Sequence, residues 1–183
     1  MIILITDIGG TNCRFFLVKV NQDSSFDIIT KVSYETNKYH DLITPLLDFI
    51  EKDVYKKNQP IYGVFAIAGS PLNNKIEKLA NIKWTNIDGD VIAKVLKFPV
   101  FLLNDFEAVG YSIYSIDKSD LHDIKPTLES KKGVVMGFGT GIGVVFVNDY
   151  KNLNEEFFVF STESGHLPLL VNDEKDMEIL KFF

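Results

Sequence analysis

The sequence predicts an α/β fold in which a mixed β-sheet is flanked by helices, and three observations carry that prediction. An apolar run of β type, Ile2 to Ile5, reaches Asp7, crosses Gly9 and Gly10, and resumes as a second β-type run from Cys13 to Val18. Ile61 to Ala68 and Val100 to Leu103 are continuous apolar runs of strand length, the pattern of strands covered on both faces. Leu42, Leu46, Phe49, Ile50 and Val54 recur at helical spacing.

In chain order, the first two runs form a hairpin, and Phe26 to Tyr34, rich in β-branched and aromatic residues, adds a third strand. A helix is predicted over Tyr39 to Lys57, with Pro45 in its first turns, where a missing N–H costs least. The strand from Ile61 ends at Gly69-Ser70-Pro71. Asp88 caps a short helix carrying Val91, Ile92, Val95 and Leu96. After Pro99 comes the strand ending at Asn104-Asp105, then a helical pattern of Phe106, Val109, Gly110 and Ile113. The polar stretch Asp117 to Lys132 reads as a loop or lobe junction. A second strand–glycine turn–strand hairpin follows, around residues 137–143, then a strand at Phe157 to Phe160 and a helix from Asp173 to Phe183.

Composition narrows the function classes. With 183 residues the chain fits one sizeable domain or two small lobes, and 46% hydrophobic residues supply a core, which argues against disorder. A net charge of −6 without a basic block makes nucleic acid a poor partner. The single cysteine, Cys13, excludes an internal disulfide and fits a reducing compartment; its alternation within a β-type run reads as packing. The apolar start has no basic leader and meets Asp7 too early for a signal peptide, and no apolar run is long enough to span a bilayer. The chain therefore reads as soluble, intracellular and cytoplasmic.

Four places can carry chemistry. Gly9-Gly10-Thr11 can turn through φ > 0 and present N–H groups to a phosphate, and Asp7 can hold a divalent cation directly or through water. An ordinary tight hairpin accounts for the same residues, and no Walker sequence occurs. Gly139-Thr140-Gly141-x-Gly143 is followed by another strand, Val144 to Val147, which disfavours a dinucleotide fingerprint and suits a second phosphate turn or a glycine-rich hairpin without ligand; the presence of two such turns favours phosphate. Asn104-Asp105 lies where a strand gives way to a helix. A carboxylate there can take a proton from a hydroxyl attacking phosphorus, or simply cap the helix. Glu163-Ser164-Gly165-His166 can hold sugar hydroxyls or form a surface turn; with His40 and His122 in unrelated surroundings, zinc is a poor fit. Asn81 can bond a sugar hydroxyl, whereas Trp84 reads as core.

The order of these elements is specific. D-I-G-G-T-N-x-R at 7–14 is followed by A-I-A-G at 66–69, A-N-x-x-W at 80–84, L-N-D-F at 103–106, G-x-G-T-G-x-G-V at 137–144 and E-S-G-H at 163–166. This series resembles bacterial-type glucokinase, of the hexokinase/actin-like ATPase superfamily, from the first strand to the last predicted helix. The resemblance implies an actin-like ATPase (ribonuclease H-like) fold with a small lobe over 1–108 and the start of a large lobe over 109–183. It implies ATP and Mg²⁺ as cofactors and glucose or a related hexose as substrate. Asp7 (close to magnesium), Gly9, Gly10, Thr11 and Asn12 match the first phosphate motif, and Gly139, Thr140 and Gly141 the second. Asp105 matches the general base for the sugar 6-hydroxyl, and Asn81, Asn104, Glu163 and His166 match residues that hold glucose. Cys13, Ala80 and Ser164 depart from the family's usual residues. Family members also continue further, with most of the large lobe, an adenosine-binding motif and another sugar-binding glutamate. The expectation is thus a glucokinase-like kinase. The alternative is a non-catalytic sugar- or phosphate-binding piece or sensor, or one half of an enzyme completed by a homodimer or a complementary chain.

Overall fold

The computed structural model describes residues 1–23, 25–79, 82–122, 132–138, 142–148 and 158–162, with 174 and 178. Strands β1 (Ile2–Ile8), β2 (Asn12–Val20) and β3 (Phe26–Glu35) form an antiparallel meander. Strands β4 (Tyr62–Ile67) and β7 (Val100–Asn104) add in parallel to β1, giving a five-stranded mixed sheet in the order β3-β2-β1-β4-β7. Between β4 and β7 lie a small hairpin, β5 (Lys75–Lys78) and β6 (Thr85–Asp88), and helix α3 (Gly89–Leu96). Asp88 caps α3 as expected, accepting from the N–H groups of Asp90 and Val91. Beyond β7, helix α4 (Asp105–Ser112) packs against a second antiparallel sheet of β8 (Lys132–Phe138), β9 (Ile142–Asn148) and β10 (Phe158–Thr162), in the order β10-β9-β8.

The helix predicted over Tyr39 to Lys57 is two helices, α1 (Ile43–Ile50) and α2 (Asp53–Lys57). Lys52 is extended between them, with φ −69° and ψ 142°. That break resets the helical phase, so Tyr55 rather than Val54 enters the core beside Leu42, Leu46 and Phe49. Pro45 is accommodated in the first turn of α1. Phe15 stacks on Phe49, and the face of the sheet carrying Leu4, Ile8, Phe15, Leu17, Phe65 and Ile67 closes over these helices. Trp84 is a core residue, as read from the sequence, and its indole N–H donates to the Tyr39 carbonyl at 2.9 Å. Of the predicted terminal helix only Glu174 and Glu178 are described, and both are helical.

Burial of β4 and β7 on both faces is not what the structure shows. Alternate residues Gly63, Phe65, Ile67, Val100 and Leu102 are buried, but Tyr62 and Phe101, which lie on the opposite face, are exposed. That open face continues across β1, β2 and β3 as a groove of about 310 Å³ lined by Ile3, Ile5, Phe16, Val18, Phe26 and Ile28, among others. In the second sheet, Val145, Val147 and Val159 face α4, whereas Val134, Met136, Phe138, Phe146, Phe158 and Phe160 are exposed on the other side.

The free edge of β7 is occupied by a side chain. Asn74 takes a left-handed backbone (φ 61°), which lets its carboxamide accept from the Leu102 N–H at 2.8 Å and donate to the Val100 carbonyl at 2.9 Å.

Candidate functional site

Parallel pairing sets the site. Ile8 of β1 registers with Ile67 of β4, and Ile67 with Asn104 of β7, so the carboxyl ends of three strands finish on one row. Neighbouring strands lie 4.7–4.9 Å apart, which places Ile8 about 10 Å from Asn104. The β1–β2 turn with Gly9, Gly10, Thr11 and Asn12 and the start of α4 with Asp105 therefore share one sheet edge, the location where open α/β sheets take ligands.

The first turn is built more tightly than its sequence suggests. The Gly9 N–H donates to the Asn12 carbonyl at 2.9 Å. Buried Thr36 braces the turn from the end of β3: its hydroxyl donates to the Gly9 carbonyl and its N–H to the Thr11 carbonyl, both at 3.0 Å. Among the described residues, no backbone carbonyl takes the N–H of Gly10 or Thr11, and both residues are exposed. The expected φ > 0 is absent; neither Gly9 nor Gly10 adopts it. Nothing in the chain itself demands glycine at position 9, since a Cβ there would meet nothing nearer than the Asn12 carbonyl oxygen at 3.8 Å. Thr36 was not legible as a site residue, because its contact with the turn is long-range.

Asp7 does not stand alone. Antiparallel register places it opposite Arg14, whose guanidinium donates to its Oδ2 at 2.5 Å. Both side chains remain partly exposed. Their spacing around a four-residue turn carries the signal, because in a hairpin ending at Ile8 and Cys13, positions 7 and 14 must pair. Cys13 is fully buried, and burial together with the Asp7 charge raises its thiol from 9.0 to about 12. It is a packing residue, as its alternation implied.

At the other end of the row, the structure reassigns the cap. Asn104, not Asp105, caps α4: its Oδ1 accepts from the N–H groups of Phe106 at 2.9 Å and Glu107 at 3.0 Å. Its Nδ2 donates to the Gly69 carbonyl at 2.9 Å, tying α4 to the loop after β4. Asp105 becomes the first residue of α4, and its Oδ1 accepts from the Phe106 N–H at 2.8 Å. Asn-x-x-Glu at 104–107 is a capping-box pattern legible in the sequence. Burial pushes the Glu107 carboxyl upward, and a bond from the Asn104 backbone N–H offsets this in part.

Phe106 connects this edge to the second hairpin. Gly137 and Gly143 are a registered pair across β8 and β9, and a Cβ on either would fall 2.3 Å and 2.0 Å from the Phe106 ring. The outer glycines of the G-x-G-T-G-x-G run are thus a seat for an aromatic ring, a role their sequence did not suggest. Gly139, Thr140 and Gly141 lie outside the described residues, as do Asn81, Glu163 and His166. Among the described residues no group of three or more His, Cys, Asp or Glu could hold a metal by itself, and no helix is long and apolar enough to cross a membrane.

This two-sheet arrangement, with a glycine turn and a carboxylate at the strand ends, is the actin-like ATPase fold of sugar kinases. A glucokinase from an Antarctic psychrotroph shares it with a TM-score of 0.76 at 24% identity, over 98% of this chain and 55% of that one. A ROK-family glucokinase from Streptomyces griseus, solved with glucose and AMPPNP, shares it with a TM-score of 0.63 at 17% identity, over 93% and 51%. The glucokinase family model matches residues 4–183, and the chain belongs to the glucokinase family. A glucokinase from Trichormus variabilis is 33% identical over 99% of this chain and 52% of its own length. The chain thus spans about half the length of the curated relatives it matches.

Proposed function

We propose that this chain carries the sugar- and phosphate-binding elements of a cytoplasmic kinase that transfers the ATP γ-phosphate to the 6-hydroxyl of glucose. The observation that supports it is the shared row of strand ends, with the Gly9–Asn12 turn at one side and Asp105 at the other. Asp105 is the general base: it takes the hydroxyl proton as that oxygen attacks phosphorus. The cap made by Asn104 fixes the first turn of α4, and with it the backbone that carries this carboxylate. The N–H groups of Gly10 and Thr11, which no backbone carbonyl takes among the described residues, meet nucleotide phosphates, with Asn12 closing the turn and Gly139, Thr140 and Gly141 contributing the second phosphate contact. Asn81, Asn104, Glu163 and His166 hold the sugar hydroxyls. Asn104 does so with its remaining amide hydrogen, since its oxygen and one hydrogen are engaged.

A magnesium ion fits Asp7. The ion usually keeps several waters and takes one or two carboxylates plus the substrate phosphates, and Asp7 offers one partly exposed carboxylate steadied by Arg14. When bound, magnesium supplies charge neutralisation on the transferring phosphoryl group. In this reading residues 1–108 form the first lobe and 109–183 begin the second, with α4 continuous across the junction.

A second reading is favoured by the exposed apolar faces of both sheets. In it, the chain binds sugar or phosphate without turnover, or a second polypeptide completes the enzyme. A coupled glucose-phosphorylation assay with ATP and Mg²⁺, run beside Asp105→Asn, separates the two. Turnover lost in the variant supports the kinase, and turnover that persists refutes Asp105 as the base. No turnover with calorimetric glucose binding selects the second reading.

A further inference from the structure

We infer that Phe106 is a positioning residue for Asp105, holding the base in register with the second glycine hairpin; this rests on the assignment of Asp105 proposed above. The two residues are consecutive in the first turn of α4, and the Phe106 N–H is shared between Asn104 Oδ1 and Asp105 Oδ1. The Phe106 ring leaves that turn and seats on Gly137 and Gly143, where either Cβ would overlap it at 2.3 Å or less. Gly137 and Gly143 lie one register pair inside Phe138 and Ile142, the last paired residues before the 139–141 turn. A movement of that hairpin therefore bears on the ring, and through a single residue on the carboxylate. Deeper in the same interface, α4 meets β9 and β10 where Gly110 lies against Val145 and Val159, so the helix is held at both ends and its first turn has little freedom to compensate. Phosphoryl transfer requires the attacking hydroxyl in line with the leaving oxygen and the base within hydrogen-bond reach of that hydroxyl, and a misplacement of about 1 Å can cost on the order of 100-fold. A ring locked between the first turn of α4 and the Gly137–Gly143 pair supplies that alignment.

The test uses the full chain with three variants: Phe106→Leu, Gly137→Ala, and the two together. Leucine lacks the Cζ that a Cβ at 137 would overlap at 2.3 Å, alanine pushes the phenyl ring out of its seat, and the pair restores a complementary fit. Carboxyl ¹³C NMR follows the titration of Asp105 in each, and the coupled assay separates kcat from KM. Both single variants are expected to shift the Asp105 titration and to lower kcat by about 10- to 100-fold with KM for glucose within about twofold. The double variant is expected to recover most of both losses. An unmoved Asp105 titration in the single variants overturns the inference, as does a fall in kcat matched by a rise in KM. Without wild-type turnover, the titration still decides the positioning role while the kinase reading alone fails.

Discussion

Replacing Asn104 tests how the strand end is held, and its size follows from the bonds that are lost. Asn104→Ala removes the acceptor for the Phe106 and Glu107 N–H groups, and loss of such a cap costs about 1 kcal/mol. It also removes the donor to the Gly69 carbonyl, a bond that contributes about 1 kcal/mol net. The two sum to about 2 kcal/mol, and for a chain of this size each kcal/mol moves Tm by about 2–4 °C, giving a fall of about 4–8 °C. Asn104→Asp keeps the acceptor but turns an oxygen toward the Gly69 carbonyl, so it loses the second bond and retains the cap, with a cost near 1 kcal/mol. Thermal and urea unfolding followed by circular dichroism measure both variants. Equal losses in alanine and aspartate would show that the cap contributes nothing. An alanine variant within about 0.5 kcal/mol of wild type would refute the whole account of Asn104 as the strand-to-helix clasp.

Two further outcomes follow from titratable groups near the site. Glu107 has a folded-state pKa raised chiefly by burial, so the fold favours its neutral form; its contribution is fully present at pH below the unfolded carboxyl range and is lost as pH rises through the raised value. The stability of Glu107→Gln relative to wild type is therefore expected to improve between pH 4 and pH 7, by tenths of a kcal/mol given the partial exposure, and a decline would contradict the sign. Cys13, held at about 12, is expected to resist a disulfide reagent at pH 8 in the folded chain and to react at once in denaturant; because its folded value lies above 9.0, the associated stability is lost only as pH climbs from 9 toward 12. Rapid labelling of the native thiol at pH 8 would refute its burial.

The meander and the parallel strands were legible because each run carries its own period and ends on glycine, proline or a carboxylate. Asp88 and Trp84 were legible for the same local reasons. What failed was long-range or sat at a junction. The small hairpin of Lys75–Lys78 and Thr85–Asp88 is dominated by charged and polar residues and carries no alternating apolar signal. The helix break at Lys52 lies in a stretch whose spacing is helical on both sides. Continuous apolar sequence in β4 and β7 pointed to cover on both faces, yet apolarity states only that a face avoids water, not what lies against it. At the site, nothing local announces that the glycines at 137 and 143 seat the Phe106 ring. Thr36 and Arg14 became visible only once strand register was fixed. The cap at Asn104 was hidden for a different reason: the capping-box pattern is present, but the aspartate beside it is an equally good cap by residue type.

Asn74 has a consequence for how this sheet ends. An edge strand with open N–H and C=O groups is a template on which another chain can grow, and β7 is the edge that leads directly into Asp105. By inserting a carboxamide that imitates a peptide unit, Asn74 occupies the Leu102 N–H and the Val100 carbonyl and terminates the ladder with a group that cannot propagate it. The strand that leads into Asp105 is thereby closed at these two groups to extension by a foreign strand, through a turn whose two central residues, Asn73 and Asn74, are both held in left-handed backbone.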